Sequence, residues 1–320
     1  MKIKFWGVRG SLPGTASHSE SKEQAAFLMN KFFQLGFKSA DDIPAFLKKA
    51  EHPDLTGYGV ATTCVQIGDS DQNIIVDGGS GIKFLSDENS KSSKKQTEFH
   101  ILMTHFHFDH ILGLPFFSPH FNKNCKIHYY SVQPECKDIV QGLFRKPIFP
   151  VGYEDLSAQI SYNIIKPYEK IQVNGFSVTP YKLDHPDPCF GFRIEQNGLV
   201  YAHAVDTEAI RITEAELGPD VGLYKDADLL YIDAQYLEEE MQQKKGWGHG
   251  TFERAFNLCN RYGVKQVLMA HYDPSAGIKD IQKFKDKATD AFKDGSDKDF
   301  QKMKTDWSFA FEGQTVEIKK

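Results

Sequence analysis

The sequence has few cysteines and no pattern that would pair them. Its five cysteines, Cys64, Cys125, Cys136, Cys189 and Cys259, are odd in number, scattered, and without a C-x-x-C pair. This argues against a secreted disulfide framework and fits reduced, buried thiols. The first apolar segment begins close to Met1, so we expect no leader peptide, and we find no apolar run long enough to cross a bilayer. We therefore expect a cytoplasmic protein with no membrane partner.

The chain also lacks an excess of basic charge. Its 38 Lys and Arg against 43 Asp and Glu give a formal net charge of −5. Broad capture of long nucleic acid needs a basic surface, so long nucleic acid is not the expected partner. A small phosphoester held by a metal stays compatible with this balance. The length of 320 residues allows one large domain or two small ones, at about 150 residues per domain.

The strongest chemical signal is a group of four metal-competent side chains within six positions: His105, His107, Asp109 and His110. They follow the apolar run Phe99–Met103, which predicts a buried strand. Alternate side chains of an extended backbone share a face, so His105, His107 and Asp109 point the same way. Imidazole and carboxylate are the usual ligands of catalytic zinc and similar metals. Adjacent donors on a nearly straight backbone can share two ions about 3.5–4 Å apart more easily than they can surround one.

Three distant donors each follow a predicted strand. His185 follows Phe176–Leu183, Asp206 follows Leu199–Val205, and His271 follows Val264–Met269. Ligands converge at the carboxyl ends of strands in α/β architectures. A histidine at one strand end is commonly structural, but three donors in such positions favour a single site. His203, close to Asp206, points away from it by alternation and is interpreted as structural.

The segment His105-x-His107-x-Asp109-His110 resembles the signature of the metallo-β-lactamase-fold hydrolases. The opening segment Phe5–Pro13 (FWGVRGSLP) narrows the resemblance to a subgroup related to ribonuclease Z and to phosphodiesterases of cyclic nucleotides or cyclic ribose phosphates. The strand pattern agrees with the fold of that family, an α/β (α+β) architecture with two mixed β-sheets and helices on the outer faces, the αββα sandwich. We expect one domain over residues 1–320, with a helical insertion at about residues 14–57.

The resemblance implies a role for each donor. His105, His107 and His185 would bind a first metal ion, Asp109, His110 and His271 a second, and Asp206 would bridge both. Asp77 would support the site by a hydrogen bond to a ligand histidine. Zinc is the first expectation for the two ions, with manganese or iron(II) as alternatives. Such a pair lowers the pKa of bound water from 15.7 to about 7 and gives a hydroxide nucleophile.

The loop Gly246–Thr251 (GWGHGT) carries a second expected catalytic residue besides Asp109. The resemblance assigns a general acid or transition-state stabiliser to His249, whose proton would go to the leaving oxygen. The alternative is a helix-capping loop with an exposed histidine. Gly250 stands where the family usually has serine or threonine, although Thr251 could still cap the following helix.

Several further elements are predicted. Residues 19–37 and a segment beginning at Asp41 or Asp42 have helical apolar faces, so the insertion is either a peripheral hairpin or a cap or dimer contact. Residues 88–97 should form an exposed loop, residues 275–305 a helix, and Asp306–Lys319 a closing β-hairpin. Phe116 belongs to a segment that either packs within a loop or lines the substrate pocket. The resemblance also implies a homodimer.

Three functions follow from these observations. The first is a binuclear phosphodiesterase acting on a small phosphodiester such as a cyclic nucleotide. The second is ribonuclease-Z-like processing of RNA 3′ ends, for which we find no basic, glycine-rich arm. The third is a non-hydrolytic metal sensor or redox protein. Redox members place glutamate where this chain has His107, and a sensor would lack a ligand, so the third function is disfavoured.

Overall fold

A computed structural model describes residues 1–14, 18–50, 53, 55, 57–69, 72–294 and 304–320. Its strands are β1 Lys2–Gly7, β2 Cys64–Gly68, β3 Asn73–Val76, β4 Glu98–Met103, β5 Lys126–Ser131, β6 Gln159–Ile164, β7 Ile171–Val173, β8 Phe176–Lys182, β9 Phe190–Gln196, β10 Leu199–Ala204, β11 Leu229–Asp233, β12 Gln266–Ala270, β13 Asp306–Phe309 and β14 Thr315–Glu317.

The α-helices in the same part of the chain are α1 His18–Gln34, α2 Ile43–Lys49, α3 Ile82–Lys91, α4 Phe108–Ile111, α5 Cys136–Leu143, α6 Glu214–Leu217, α7 Val221–Tyr224, α8 Met241–Lys244, α9 Phe252–Tyr262 and α10 Ile278–Asp294. Short 3₁₀ turns occur at Ala40–Asp42, Leu114–Phe116, Ser118–Phe121, Tyr153–Asp155, Gly218–Asp220 and Glu238–Glu240. None of the helices described is long and apolar enough to cross a membrane.

The strands form two mixed sheets of seven. The first has the order β14-β1-β2-β3-β4-β5-β6 and the second β13-β12-β11-β10-β9-β8-β7. In each sheet one half is antiparallel and the other parallel, with β3 to β6 and β10 to β13 as the parallel runs. The predicted αββα sandwich is confirmed. Parallel strands matter here because their carboxyl ends lie at one edge, where loops can meet.

Two apolar layers hold the sandwich together. One lies between the sheets and includes Phe5, Phe192 and Tyr231. The other lies between the first sheet and its outer helices and includes Phe99 and Phe117, whose rings meet edge to face at 5.0 Å. The second half of β4, Ile101–Met103, is buried on both faces, which explains why it is a continuous apolar run, whereas Glu98 is exposed and His100 is half-buried.

The predicted closing hairpin is wrong. Strand β13 pairs in parallel with β12 in the second sheet, whereas β14 pairs antiparallel with β1 in the first. The chain crosses between the sheets at Ala310, which is fully buried and whose N–H donates to the Met269 carbonyl. Each strand therefore completes a different sheet edge, a long-range pairing that local alternation does not reveal.

The predicted loop at residues 88–97 is wrong in its first part, because α3 continues to Lys91. Ile82, Leu85 and Ser86 are its buried residues, at helical spacing. The predicted helices of the insertion are present as α1 and α2. They contact each other through the rings of Phe32 and Phe46, whose centroids are 5.3 Å apart. Parts of the predictions at residues 15–17, 51–52, 54, 56, 70–71 and 295–303 lie outside the described residues.

Candidate metal centre

The predicted metal ligands meet where strands of both sheets end. The loop after β4 brings His105, His107, Asp109 and His110 from the first sheet. The segments after β8, β10 and β12 bring His185, Asp206 and His271 from the second. All seven side chains therefore belong to one site, built across the opening between the two sheets.

The seven side chains form two groups that share one residue. The first group is His105, His107, His185 and Asp206, and the second is Asp109, His110, Asp206 and His271. Within each group the candidate ligand atoms lie within 4.8 Å of one another. Two ligand sets with a common carboxylate are what a bridged pair of divalent ions requires.

The two oxygens of Asp206 face different groups. Its Oδ2 lies 3.5 Å from His105 Nε2, whereas its Oδ1 lies 2.9 Å from His271 Nε2 and 3.4 Å from His110 Nε2. The side chain is 1% exposed, so water does not compete for these oxygens. This orientation is the one that a bridging carboxylate needs.

Unsatisfied polar atoms show that the site fits metal ions. Among the described residues, Nε2 of His105, His110, His185 and His271 and Oδ1 of Asp206 are buried and make no hydrogen bond of acceptable geometry, although His271 Nε2 lies 2.9 Å from Asp206 Oδ1. A buried polar atom without a partner is rare and costs about 1–3 kcal/mol. Five such atoms within the two ligand groups indicate a ligand that accepts electron pairs, which divalent cations do.

In three of the ligand histidines, the ring nitrogen that does not face the other ligands already contacts a protein group. His110 Nδ1 donates to Asp77 Oδ2 at 2.8 Å, and His107 Nε2 donates to Asp187 Oδ2 at the same distance. His105 Nδ1 lies 3.1 Å from the Thr104 hydroxyl. Such bonds fix the ring orientation and the tautomer of a ligand histidine. They leave Nε2 of His105 and His110, and Nδ1 of His107, free to point at a metal.

The charges of His105 and of the two ligand carboxylates agree with this arrangement. Burial, followed by the neighbouring His110, holds the pKa of His105 well below its ordinary value, so this imidazole is neutral and can bind a metal. Burial alone would raise the pKa of Asp206, but His271 and His110 hold it well below its usual range. Asp109 likewise has a lowered pKa, because His110 outweighs the effect of burial. Both carboxylates are therefore ionised. Burial would lower the pKa of His110, but Asp109, Asp206 and Asp77 raise it well above its ordinary value, so His110 has to release a proton when it binds a metal.

Close packing against two glycines positions two of the histidines. A Cβ on Gly10 would lie 2.4 Å from Cδ2 of His271, and one on Gly248 would lie 2.2 Å from Cδ2 of His185. Gly248 also has a φ of +90°, which disfavours other residues. Only a residue without a side chain lets the backbone approach the rings this closely.

His249 lies at the edge of the second ligand group. Its ring centroid is 4.9 Å from that of His271, and its Nδ1 donates to Asp233 Oδ2 at 2.8 Å. Burial would lower the pKa of His249, but Asp233 raises it to about 9. Helix α9 starts three residues later, and its N-cap is the Thr251 side chain, which accepts from the Arg254 N–H. The loop therefore caps a helix and also carries a protonated histidine beside the ligands.

Sequence reasoning missed three carboxylates that hold the site. Asp233 is the last residue of the apolar strand β11, a position close to the signal that identified Asp206. Glu208, two residues after Asp206, is 5% exposed and accepts from the N–H groups of Gly246 and Gly248. These hydrogen bonds connect the loop that carries His249 to the loop that carries Asp206. Asp187 binds His107 from a loop. No local pattern marks the last two.

Two other buried histidines, His203, which was predicted to be structural, and His120, lie outside the two ligand groups. His203 is fully buried and joined to the Tyr201 hydroxyl at 3.0 Å. His120 packs against Phe117 and Phe144 and is joined to the Tyr129 hydroxyl at 2.8 Å. Neither belongs to the two ligand groups.

The sequence profile of the family described as "Beta-lactamase superfamily domain" matches residues 72–272. The chain belongs to this superfamily. The match includes every donor of the two groups.

Superfamily relatives agree with the assignment. The chain is 24% identical over 281 residues to a ribonuclease Z of Clostridium perfringens, covering 71% of this chain and 88% of that protein. Its fold is similar to that of Zn²⁺-bound PqqB from Methylobacterium extorquens, with a TM-score of 0.63 and 15% identity over 99% of this chain and 100% of that one. It is also similar to yeast PDE1, with a TM-score of 0.55 and 14% identity over 99% of each chain.

The superfamily assignment sets the general chemistry. The protein is a hydrolase of the metallo-β-lactamase fold, and this fold implies divalent metal ions.

Proposed function

We propose that this hydrolase is a phosphodiesterase that cleaves a small phosphodiester such as a cyclic nucleotide. It would use two divalent metal ions, for which zinc is the first candidate. The observation that carries the proposal is the Asp206 carboxylate, whose oxygens face two separate groups of unpaired histidine nitrogens. We likewise propose that residues 1–320 act as one domain, because both sheets supply ligands to the same site.

The proposed ligand assignment follows the two groups. His105, His107 and His185 would hold one ion, Asp109, His110 and His271 the other, and Asp206 both. Such a pair, when bound, supplies a water-derived nucleophile at neutral pH and neutralises charge that develops on phosphoryl oxygens. The chain itself keeps the ligands in place. For example, the Ser11 N–H donates to Asp109 Oδ2 at 2.9 Å, and Asp77 holds His110.

His249 would supply the proton for the leaving oxygen. Asp233 accepts from its Nδ1, so Nε2 is the atom that can donate to a substrate. The raised pKa keeps the imidazole protonated at neutral pH, the state required of a general acid. Glu208 would position this proton by holding the Gly246–Gly248 backbone. Asp233 and Glu208 act through His249 and are positioning residues.

Exposed aromatic rings next to the site support a substrate with a base. Trp247 precedes His249 by two residues and is 56% exposed, and Phe108, beside Asp109, is 76% exposed. Flat apolar rings that stay in contact with water can stack on a nucleobase. The net charge of −5 favours a small substrate over long RNA, whose capture depends on basic side chains.

Ribonuclease-Z-like cleavage of RNA is the second candidate. The similarity to the Clostridium perfringens ribonuclease Z favours it, because that relative matches over most of both chains. RNA is itself a phosphodiester, so the same ligand set serves either substrate. The non-hydrolytic candidate is not proposed.

A paired assay distinguishes the candidates. Purified protein is stripped of metal, reloaded with Zn²⁺ or Mn²⁺, and given 3′,5′-cyclic AMP or a precursor tRNA with a 3′ trailer. We expect metal-dependent hydrolysis of the cyclic nucleotide that is lost in Asp109→Ala. Cleavage of the tRNA alone would assign the second function. No hydrolysis of either substrate, with two ions bound per chain, would refute both substrate assignments.

A further inference from the structure

A second group of metal-competent side chains lies away from the catalytic site, on strands β4 and β5. Glu98 and His100 come from β4 and His128 from β5, and their candidate ligand atoms lie within 4.8 Å of one another. His100 lies five residues before His105 on an extended strand, a separation of about 16 Å at 3.3 Å per residue. The group is therefore separate from the candidate metal centre.

The sheet itself aligns the two histidines. His100 and His128 are direct partners in the parallel pairing of β4 with β5. Their rings stack at a centroid distance of 4.8 Å with an interplanar angle of 18°. Neighbouring strands of a sheet lie about 4.8 Å apart, so this spacing follows from the register and needs no distortion.

The Nδ1 atoms of both rings are held by hydroxyl groups. His128 Nδ1 lies 2.7 Å from Ser161 Oγ on β6, and His100 Nδ1 lies 3.1 Å from the Tyr130 hydroxyl. Each pair leaves Nε2 as the atom that can take a ligand. Ligand histidines in metal sites are held in this way through the second ring nitrogen.

The remaining atoms lie close enough together for rotations of the partly exposed side chains to bring them onto one ion. His128 Nε2 lies 3.0 Å from Glu98 Oε1, and the other separations reach at most 4.8 Å. Ligands of a tetrahedral zinc ion with bonds of about 2.1 Å are about 3.4 Å apart, a value within this range. The His128 side chain is 25% exposed and that of Glu98 52%, so an ion can enter and water can complete the coordination.

We propose that Glu98, His100 and His128 form an additional, exchangeable site for a zinc ion, apart from the catalytic centre. Two imidazoles and a carboxylate with an open position match the ligand preference of Zn²⁺. A bound ion joins β4 to β5, and Ser161 extends the link to β6. The competing arrangement is an ion pair between a protonated His128 and Glu98, without a metal.

The test is a zinc count per chain on metal-stripped protein titrated with Zn²⁺ by calorimetry. The double variant His100→Gln/His128→Gln is compared with wild type and with His18→Gln, which removes an exposed imidazole from α1. We expect wild type and His18→Gln to bind one ion more per chain than the double variant, with a Kd of about 1 μM or tighter. Hydrolytic activity of the double variant, with its catalytic ions bound, should be unchanged and shows that it is folded.

Two milder variants keep the test independent of folding. Glu98→Gln should weaken the additional ion at least tenfold, and Ser161→Ala about 10–100-fold, as expected when a supporting partner is removed. Equal zinc counts in wild type and the double variant would overturn the proposal and leave the ion pair. An additional ion that persists in the double variant would place it elsewhere on the chain, and would equally overturn the proposal.

Discussion

The Nδ1 atom of His249 lies 2.8 Å from the Asp233 carboxylate, and the pair joins the loop before α9 to the last residue of strand β11. Asp233 is 1% exposed and His249 8%, so the pair is almost fully shielded from water. A buried carboxylate beside an imidazole stabilises its protonated form. The pair therefore keeps the His249 imidazole protonated, with its ring in contact with the ring of His271.

His249→Gln should affect poor leaving groups far more than good ones. With 3′,5′-cyclic AMP, whose ribose oxygen needs a proton to leave, we expect kcat to fall about 10²–10⁴-fold. With bis(p-nitrophenyl) phosphate, whose nitrophenolate leaves as a stable anion, the loss should be smaller than about tenfold. Steady-state kinetics on both substrates measures the difference.

The matched variant for this test is Asp233→Asn, which keeps the shape of the pair and removes its charge. It should show the same substrate dependence with a smaller loss of kcat. Metal content should stay the same in both variants. An equal loss on both substrates would mean that His249 only supports the site and does not protonate the leaving oxygen.

Gly248→Ala should disturb the metal site, whereas Gly246→Ala should not. Both glycines have positive φ, +90° and +81°, so each substitution costs about 1 kcal/mol or more of stability from the backbone. Only the new Cβ at position 248 would collide with the His185 ring, since nothing lies within 4 Å at position 246. We expect at least tenfold lower kcat/KM and reduced metal content for Gly248→Ala alone, measured on folded protein. Similar activity of the two variants would contradict this role.

Asp77→Asn should weaken metal binding. Asp77 is fully buried, and its two oxygens accept from His110 Nδ1 and from the Thr104 N–H. The side-chain amide of asparagine has only one oxygen, so its NH₂ group would face one of these two donors. It would also lack the negative charge of the carboxylate. Loss of such a partner lowers metal affinity by about 10–100-fold. Competition with a chelator of known affinity provides the measurement.

Asp187→Asn is the control for this prediction. Asp187 holds His107 at the same 2.8 Å, but the side chains are 66% and 43% exposed, so water can replace the bond. We expect a smaller loss of affinity than for Asp77→Asn. The reverse order would show that burial does not decide how strongly these carboxylates support the ligands.

The sequence was sufficient for the features that depend on short-range patterns. His105 to His110 form a dense local motif, and His185, Asp206 and His271 each follow an apolar run. Because ligands converge at the carboxyl ends of strands, these residues could be predicted to share one site. The hairpin turn at Asn197-Gly198 also agrees with its local sequence, because Asn and Gly adopt positive φ more readily than other residues and both do so here. The αββα sandwich was expected from the resemblance to the metallo-β-lactamase fold, with which the predicted pattern of strands and helices agrees.

Features that depend on long-range contacts escaped prediction. The partners of β13 and β14 are set by which sheet edge is free, a property of the assembled fold. Glu208 serves the site through backbone N–H groups about 40 residues along the chain, and backbone donors leave no trace in a sequence. The close approach of Gly10 to His271 likewise appears only when β1 and the end of β12 are neighbours.

His120 should make the protein less stable in acid. Burial lowers its pKa to about 4, from an ordinary value of 6.5. Between these values the unfolded chain binds a proton that the folded chain does not, so the free energy of unfolding falls as pH falls through this window. A shift of this size corresponds to at most about 3 kcal/mol, of which about 2 kcal/mol is lost between pH 7 and pH 5.

His120→Gln removes this titration, so the stability difference between wild type and variant should shrink by about 2 kcal/mol between pH 7 and pH 5 in urea unfolding. Comparing the two proteins cancels the loss of metal in acid, which affects both. Tyr129→Phe keeps the buried imidazole and removes the hydroxyl that lies 2.8 Å from it, so this variant should retain the wild-type pH dependence. A difference that stays constant with pH for His120→Gln would show that the imidazole is protonated inside the fold, with its charge stabilised by neighbouring groups.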